Sequence, residues 1–209
     1  MRPPIPDRAA DPVSDAPVVN VPNALTLLRV VCVPLLAWLL WLDGGQLGPA
    51  RDAAAAVFVL ASLTDLVDGA IARRYGLVTT FGKIADPIAD KALTGVALIG
   101  LSLLGDLSWW VTGVILAREI GVTLLRFWVI EHGVIPASRG GKLKTVAQTV
   151  AITMYLVDVP WSWWSTASAV VMGIAVALTL ITGADYVVRA VRLRQTPPQT
   201  SSNLGVHRG

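Results

Sequence analysis

The chain has 209 residues, 54% of them hydrophobic, with a mean hydropathy of +0.63, which excludes an ordinary soluble domain. Its length fits one domain. Net charge is +3 and pI near 9.4; the basic residues are clustered, which suits an anionic membrane surface or substrate and, with no basic stripe on a soluble fold, speaks against nucleic acid.

Residues 1–18 are rich in Pro, Asp and Ala without a period and are expected to form a disordered cytoplasmic tail. No signal peptide is expected, because the first apolar run follows an Asp- and Pro-bearing segment and lacks a cleavage site. Asn23 is the expected N-cap of a helix starting at Ala24. Ala24–Leu42 is long enough to cross a bilayer, for which about 20 apolar residues are needed. Arg29 interrupts that run and could snorkel to headgroups. Cys32, the only cysteine, excludes an intrachain disulfide and reads as a small packed hydrophobe.

A turn over 43–49 leads to a second span from Arg51 or Asp52 to Arg73. A short loop follows at 75–80, then a third span over 81–104 that Pro87 bends without ending. A turn at 105–108 and the anchor Trp109-Trp110 open a fourth span to Ile130. Residues 131–144 read as a polar loop. The fifth span covers 143–156, an aromatic belt 158–164, and the sixth span 165–188. Residues 195–209 read as a second disordered cytoplasmic tail. The expected fold is therefore all-α and integral to a membrane. Six transmembrane helices form one domain over 19–194. No internal repeat is evident.

Basic residues set the orientation. Arg2, Arg8, Arg73, Arg74, Lys83, Arg139, Lys142, Lys144, Arg189, Arg192, Arg194 and Arg208 fall on one side of a six-span arrangement. The opposite turns hold Asp43, Asp106 and Asp158, with Arg51 as their one basic residue. Both termini are thus expected in the cytoplasm.

The chemistry concentrates between Asp65 and Asp90, where four aspartates interrupt apolar sequence. A carboxylate at bilayer depth costs roughly 2.5–3.5 kcal/mol on insertion scales. Asp65 and Asp68 are three apart; Asp86 and Asp90 are four apart, so each pair shares a helical face. Two such faces brought together make an all-oxygen cluster that suits Mg²⁺ or Mn²⁺. Asp65 lies eight residues before Arg73, or roughly 12 Å of helix. The active site is therefore expected in a polar cavity at the cytoplasmic side. Gly69, Ala72 and Gly82 are small enough for close approach, and Arg73 suits a phosphate. Metal-assisted phosphoryl transfer fits these parts. A cation transporter is the alternative from another class, but it leaves the Gly-Ala-Arg spacing unexplained.

Asp65-x-x-Asp68-Gly69-x-x-Ala72-Arg73, eight residues, then Gly82-x-x-x-Asp86-x-x-x-Asp90 resembles the signature of the CDP-alcohol phosphotransferases. The resemblance implies a six-helix, multi-pass protein of the bacterial inner membrane with two divalent cations, Mg²⁺ or Mn²⁺. It implies that Asp65, Asp68 and Asp86 ligate metal, and that Asp90 ligates metal or is the catalytic base for the acceptor hydroxyl. Asp65, Gly69, Ala72, Arg73 and Gly82 would line the cytidine-diphosphate pocket.

Outside the signature, residues 21–29, 117–126, 141–148 and 86–91 are similar to the branch of that family that makes phosphatidylglycerophosphate. The substrates implied are CDP-diacylglycerol and sn-glycerol 3-phosphate. Inositol phosphate and phosphatidylglycerol are the alternative acceptors. Cardiolipin-making members are expected to carry Arg-Asp where this chain has Arg118-Glu119. A phosphorylated acceptor also agrees with the cations. Arg118 falls near mid-membrane, where Glu119 pairs with it or with another cation. Arg126, Arg139, Lys142 and Lys144 lie nearer the cytoplasm and complete the expected acceptor-phosphate set. Small residues such as Gly173 leave room for a homodimer.

Overall fold

The computed structural model describes residues 21–75, 80–129, 139–157 and 159–195. Among them are six α-helices and no strand: α1 Val21–Asp43, α2 Pro49–Tyr75, α3 Thr80–Leu103, α4 Trp109–Val129, α5 Arg139–Leu156 and α6 Trp164–Gln195. The expected tails 1–18 and 196–209 lie outside the described residues, as does most of the loop expected at 75–80.

Three helix ends differ from expectation. α1 starts at Val21, so Asn23 sits within its first turn and is not the N-cap. Pro22 allows this, since a first-turn proline forfeits no intrahelical bond. α5 begins at Arg139, four residues before the expected Leu143. Gly140 and Gly141 fall in its first turn, where they form helix instead of loop. α6 continues past Val188 to Gln195, and an i,i+4 pair from Arg189 Nε to Asp185 Oδ2 at 2.9 Å supports the extension. Pro87 lies inside α3 without ending it, as expected.

The chain divides into two compact units. The first is built on α1, α2 and α3. There α1 packs on both α2 and α3, with a core that includes Leu36, Leu40, Phe58, Leu93, Leu98 and Leu101. One end of this unit is tied by charge. α3 closes with Gly105 in the left-handed region (φ 83°). Asp106 N–H then donates to Leu101 O and Gly105 N–H to Ser102 O, a Schellman closure. That closure presents Asp106 to Arg51 at the start of α2. Arg51 Nη2 lies 2.7 Å from Asp106 Oδ2 and 2.9 Å from Asp43 Oδ2 at the end of α1. Asp43 also accepts from the N–H groups of Gly45 and Gly48. A buried guanidinium thus joins all three helices.

The second unit is built on α4, α5 and α6, the last residue of α5 excepted. α4 packs on α6, and α5 is joined to each by side-chain hydrogen bonds. Trp164 Nε1 donates to Met154 O at 3.1 Å, and Trp161 stacks on Trp163 at 5.3 Å between ring centroids. Trp109, Trp110, Trp161 and Trp163 are exposed, which suits interfacial anchors.

Both units turn apolar side chains outward and polar ones inward. On α1, Leu27, Leu28, Val31, Trp38 and Trp41 are exposed, whereas Asn23, Thr26, Arg29 and Asp43 are buried. On α6, Val170, Ile174, Leu180 and Ile181 are exposed and Ser168 and Thr179 buried. Water would disfavour so continuous an apolar surface; lipid does not. By length and composition, Asn23–Asp43 and Trp164–Arg192 can each cross a membrane.

Candidate active site

The signature aspartates are carried on α2 and α3, and α1 stands behind two of them. Asn23, Thr26 and Arg29 recur every third residue of α1, and all three are buried. This is a polar stripe on an otherwise apolar helix. Arg29 Nη1 lies 2.7 Å from Asp65 Oδ1 on α2. The Thr26 hydroxyl donates to Asp86 Oδ1 on α3. Thr26 and Arg29 are one turn apart, a rise of roughly 4.5 Å. One face of α1 therefore gathers a carboxylate from each signature helix. Arg29 does not snorkel: its side chain is 0% exposed, whereas that of Asp65 is 37% exposed. The ion pair explains this, because a buried guanidinium needs a carboxylate partner.

Asp90, four residues after Asp86, is half-buried on α3. Asp68, Gly69, Ala72 and Arg73 lie on α2 and Gly82 on α3. Their side chains fall outside the described set. Among the described residues, no group of three or more His, Cys, Asp or Glu side chains is placed to hold a metal ion. The donor chemistry nevertheless fits a hard divalent cation, since Asp65, Asp86 and Asp90 offer only carboxylate oxygen. Asp65 keeps 37% of its side chain exposed beside the buried Arg29, so part of the carboxylate is open to a ligand.

The second unit holds a separate polar cluster. Glu119 on α4 accepts from Arg118 Nη1 at 3.1 Å and from Lys144 Nζ on α5. Arg118 Nη2 also donates to Thr182 Oγ1 on α6 at 3.2 Å. Gln148 Nε2 donates to Thr179 Oγ1 at 3.2 Å, both residues being buried. Arg118 Nε is buried with no hydrogen-bond partner among the described residues. Two cations thus share one carboxylate, which leaves the trio with a net positive charge. Gly183 on α6 makes room for it: a Cβ there would stand 3.1 Å from Arg118 Cγ.

Of the expected acceptor-phosphate residues, Arg118 and Lys144 are brought together. Lys142 is exposed and does not join them. Residues two apart on a helix point to different sides, so Lys142 and Lys144 part company once α5 starts at Arg139. The side chains of Arg126 and Arg139 lie outside the described set. Thr26, Thr182 and Gln148 were not singled out from the sequence. For Thr26 a signal existed, the three-residue recurrence of polar side chains on α1.

Comparison with known proteins accounts for the signature. The profile of the CDP-alcohol phosphatidyltransferase family matches residues 19–181. A Mycobacterium tuberculosis protein named probable phosphatidylglycerophosphate synthase is 54% identical over 185 residues, covering 87% of this chain and 88% of the relative. A Rickettsia typhi protein named CDP-diacylglycerol–glycerol-3-phosphate 3-phosphatidyltransferase is 39% identical over 80% of this chain and 94% of its own length. A Bacillus subtilis protein of the same name is 37% identical over 80% of this chain and 93% of its own length. With a profile match across most of its length and relatives this similar, the chain belongs to the CDP-alcohol phosphatidyltransferase family.

Proposed function

We propose that the protein transfers the phosphatidyl group of CDP-diacylglycerol to sn-glycerol 3-phosphate, giving phosphatidylglycerophosphate and CMP in phospholipid biosynthesis. Membership of the family and the names of its relatives support the reaction. The observation that carries the choice of acceptor is the Arg118–Glu119–Lys144 cluster. A buried and a half-buried cation against one carboxylate, with a guanidinium N–H that has no partner among the described residues, suit a phosphomonoester dianion.

In this reading a free hydroxyl of glycerol 3-phosphate attacks the β-phosphorus of CDP-diacylglycerol. A new P–O bond forms and the anhydride bond breaks. CMP leaves with the electron pair, and the hydroxyl proton passes to Asp90. Asp65, Asp68, Asp86 and Asp90 would hold two divalent cations, Mg²⁺ or Mn²⁺; when bound, these neutralise the diphosphate. Gly69, Ala72 and Gly82 let the nucleotide approach the backbone, and Arg73 pairs with its phosphate, with Asp65 also lining that pocket. Arg118 and Lys144, together with Arg126 and Arg139, hold the acceptor phosphate, and Lys142, exposed on another side of α5, is left out of that set. Positioning and charge stabilisation carry most of such a transfer.

The site lies in a polar cavity on the cytoplasmic side of six spans. The domain over 19–194 sits in the bacterial inner membrane with both ends cytoplasmic. The outward apolar side chains and the one-sided basic residues support this topology. Gly173 is exposed on α6, which leaves a homodimer seam open.

The test is CMP release by the purified protein with Mg²⁺ or Mn²⁺, CDP-diacylglycerol and each acceptor in turn. Release with glycerol 3-phosphate is the expected result. Release only with inositol phosphate or phosphatidylglycerol overturns the acceptor. No CMP with any acceptor favours a cation transporter.

A further inference from the structure

We infer that Thr26 and Arg29 on α1 are positioning residues for the metal-binding carboxylates. Thr26 fixes Asp86 and Arg29 fixes Asp65. The inference rests on the reading of Asp65 and Asp86 as metal ligands. Three observations carry it. Each α1 side chain meets Oδ1 of a different signature carboxylate, Thr26 through a hydrogen bond and Arg29 as an ion partner at 2.7 Å. Both α1 residues are almost wholly buried, whereas the carboxylates they hold are only partly so. The bonds therefore come from the closed side of each carboxylate and leave its orientation toward the open side defined. The two partners are also one helical turn apart, so a single rigid element sets both aspartates in register.

Two effects compete at Arg29. As a cation it repels a metal; as a bonded partner it fixes a ligand that otherwise rotates about χ1 and χ2. Thr26 carries no charge and shows the second effect alone. Partners that orient metal ligands typically contribute 10–100-fold in affinity.

Mn²⁺ is titrated into the full-length protein in detergent with CDP present, and free Mn²⁺ is followed by electron paramagnetic resonance. Thr26→Val is expected to weaken binding roughly 10–100-fold, and Thr26→Ser, which keeps the hydroxyl, to restore it. Arg29→Gln is expected to weaken binding despite removing a positive charge. Unchanged affinity in Thr26→Val, or unchanged or tighter affinity in Arg29→Gln, overturns the role of that residue, provided Asp86→Asn has lost Mn²⁺. Asp86→Asn binding as well as the parent protein overturns the metal reading itself, and the inference with it. Asp106→Asn touches neither carboxylate and loosens the same unit. If it weakens Mn²⁺ as much as Thr26→Val, the effect is general loosening and the inference is overturned.

Discussion

Gly183 and Arg118 approach so closely that a single added methyl group on the glycine would stand 3.1 Å from the arginine Cγ. Such a contact is tighter than most packed carbons show, so the Arg118 side chain has to shift by a few tenths of an ångström. Gly183→Ala is therefore expected to raise KM for glycerol 3-phosphate several-fold with little change in KM for CDP-diacylglycerol. Steady-state kinetics with each substrate varied in turn checks this. Equal rises in both constants would sink it.

Lys144 and Arg118 both pair with Glu119. Glu119→Gln removes the shared negative charge and leaves the buried Lys144 and half-buried Arg118 in mutual repulsion. The expected outcome is a protein of lower melting temperature with weaker acceptor use. Lys144→Ala is expected to raise the acceptor KM more than tenfold, because in the proposed reading it deletes a charge-assisted bond to phosphate. Inorganic phosphate as a competitive inhibitor gives an independent readout, with a weakened inhibition constant in Lys144→Ala.

Arg51 holds Asp43 and Asp106 with its own side chain 0% exposed. Truncating one partner of a buried ion pair costs about 3–5 kcal/mol. Arg51→Ala is expected to lower the melting temperature in detergent sharply. Asp106 is 31% exposed on its side chain, so Asp106→Asn is expected to cost far less. A smaller loss in Arg51→Ala than in Asp106→Asn would contradict the picture of a buried hub.

Asp90→Asn keeps the shape of the side chain but cannot accept the acceptor's proton. Loss of a general base lowers turnover by roughly 10²–10⁴-fold. The variant is expected to elute and melt like the parent protein while releasing little CMP. Retained turnover would remove Asp90 from that role.

Chelation with EDTA is expected to abolish CMP release, and Mg²⁺ or Mn²⁺ in excess to restore it. Ca²⁺ has the right charge but prefers longer bonds and more ligands, so weaker restoration is expected with it.

Much of this was legible in the residues. Four aspartates in apolar sequence are costly enough to demand a function, and their spacing assigned them to two helices before any coordinates. Helix number and order followed from the apolar runs. The helix starts did not, because Gly140-Gly141 and Pro22 read as punctuation although a first turn tolerates both. Arg29 looked like a charge interrupting a span; its partner Asp65 is 36 residues away, and local periodicity carries no information at that range. Arg51 counted only toward orientation for the same reason, since Asp106 meets it across 55 residues. Glu119 was expected to pair with Arg118 or another cation, and it takes both.

The tie between Arg51, Asp43 and Asp106 sits at one end of the three-helix unit, and Thr26 and Arg29 act near the other. Fourteen residues of α1 separate Arg29 from Asp43, a lever of roughly 21 Å. α1 is thus bolted to α2 and α3 near both of its tips, and the three rods keep one spacing along the whole lever.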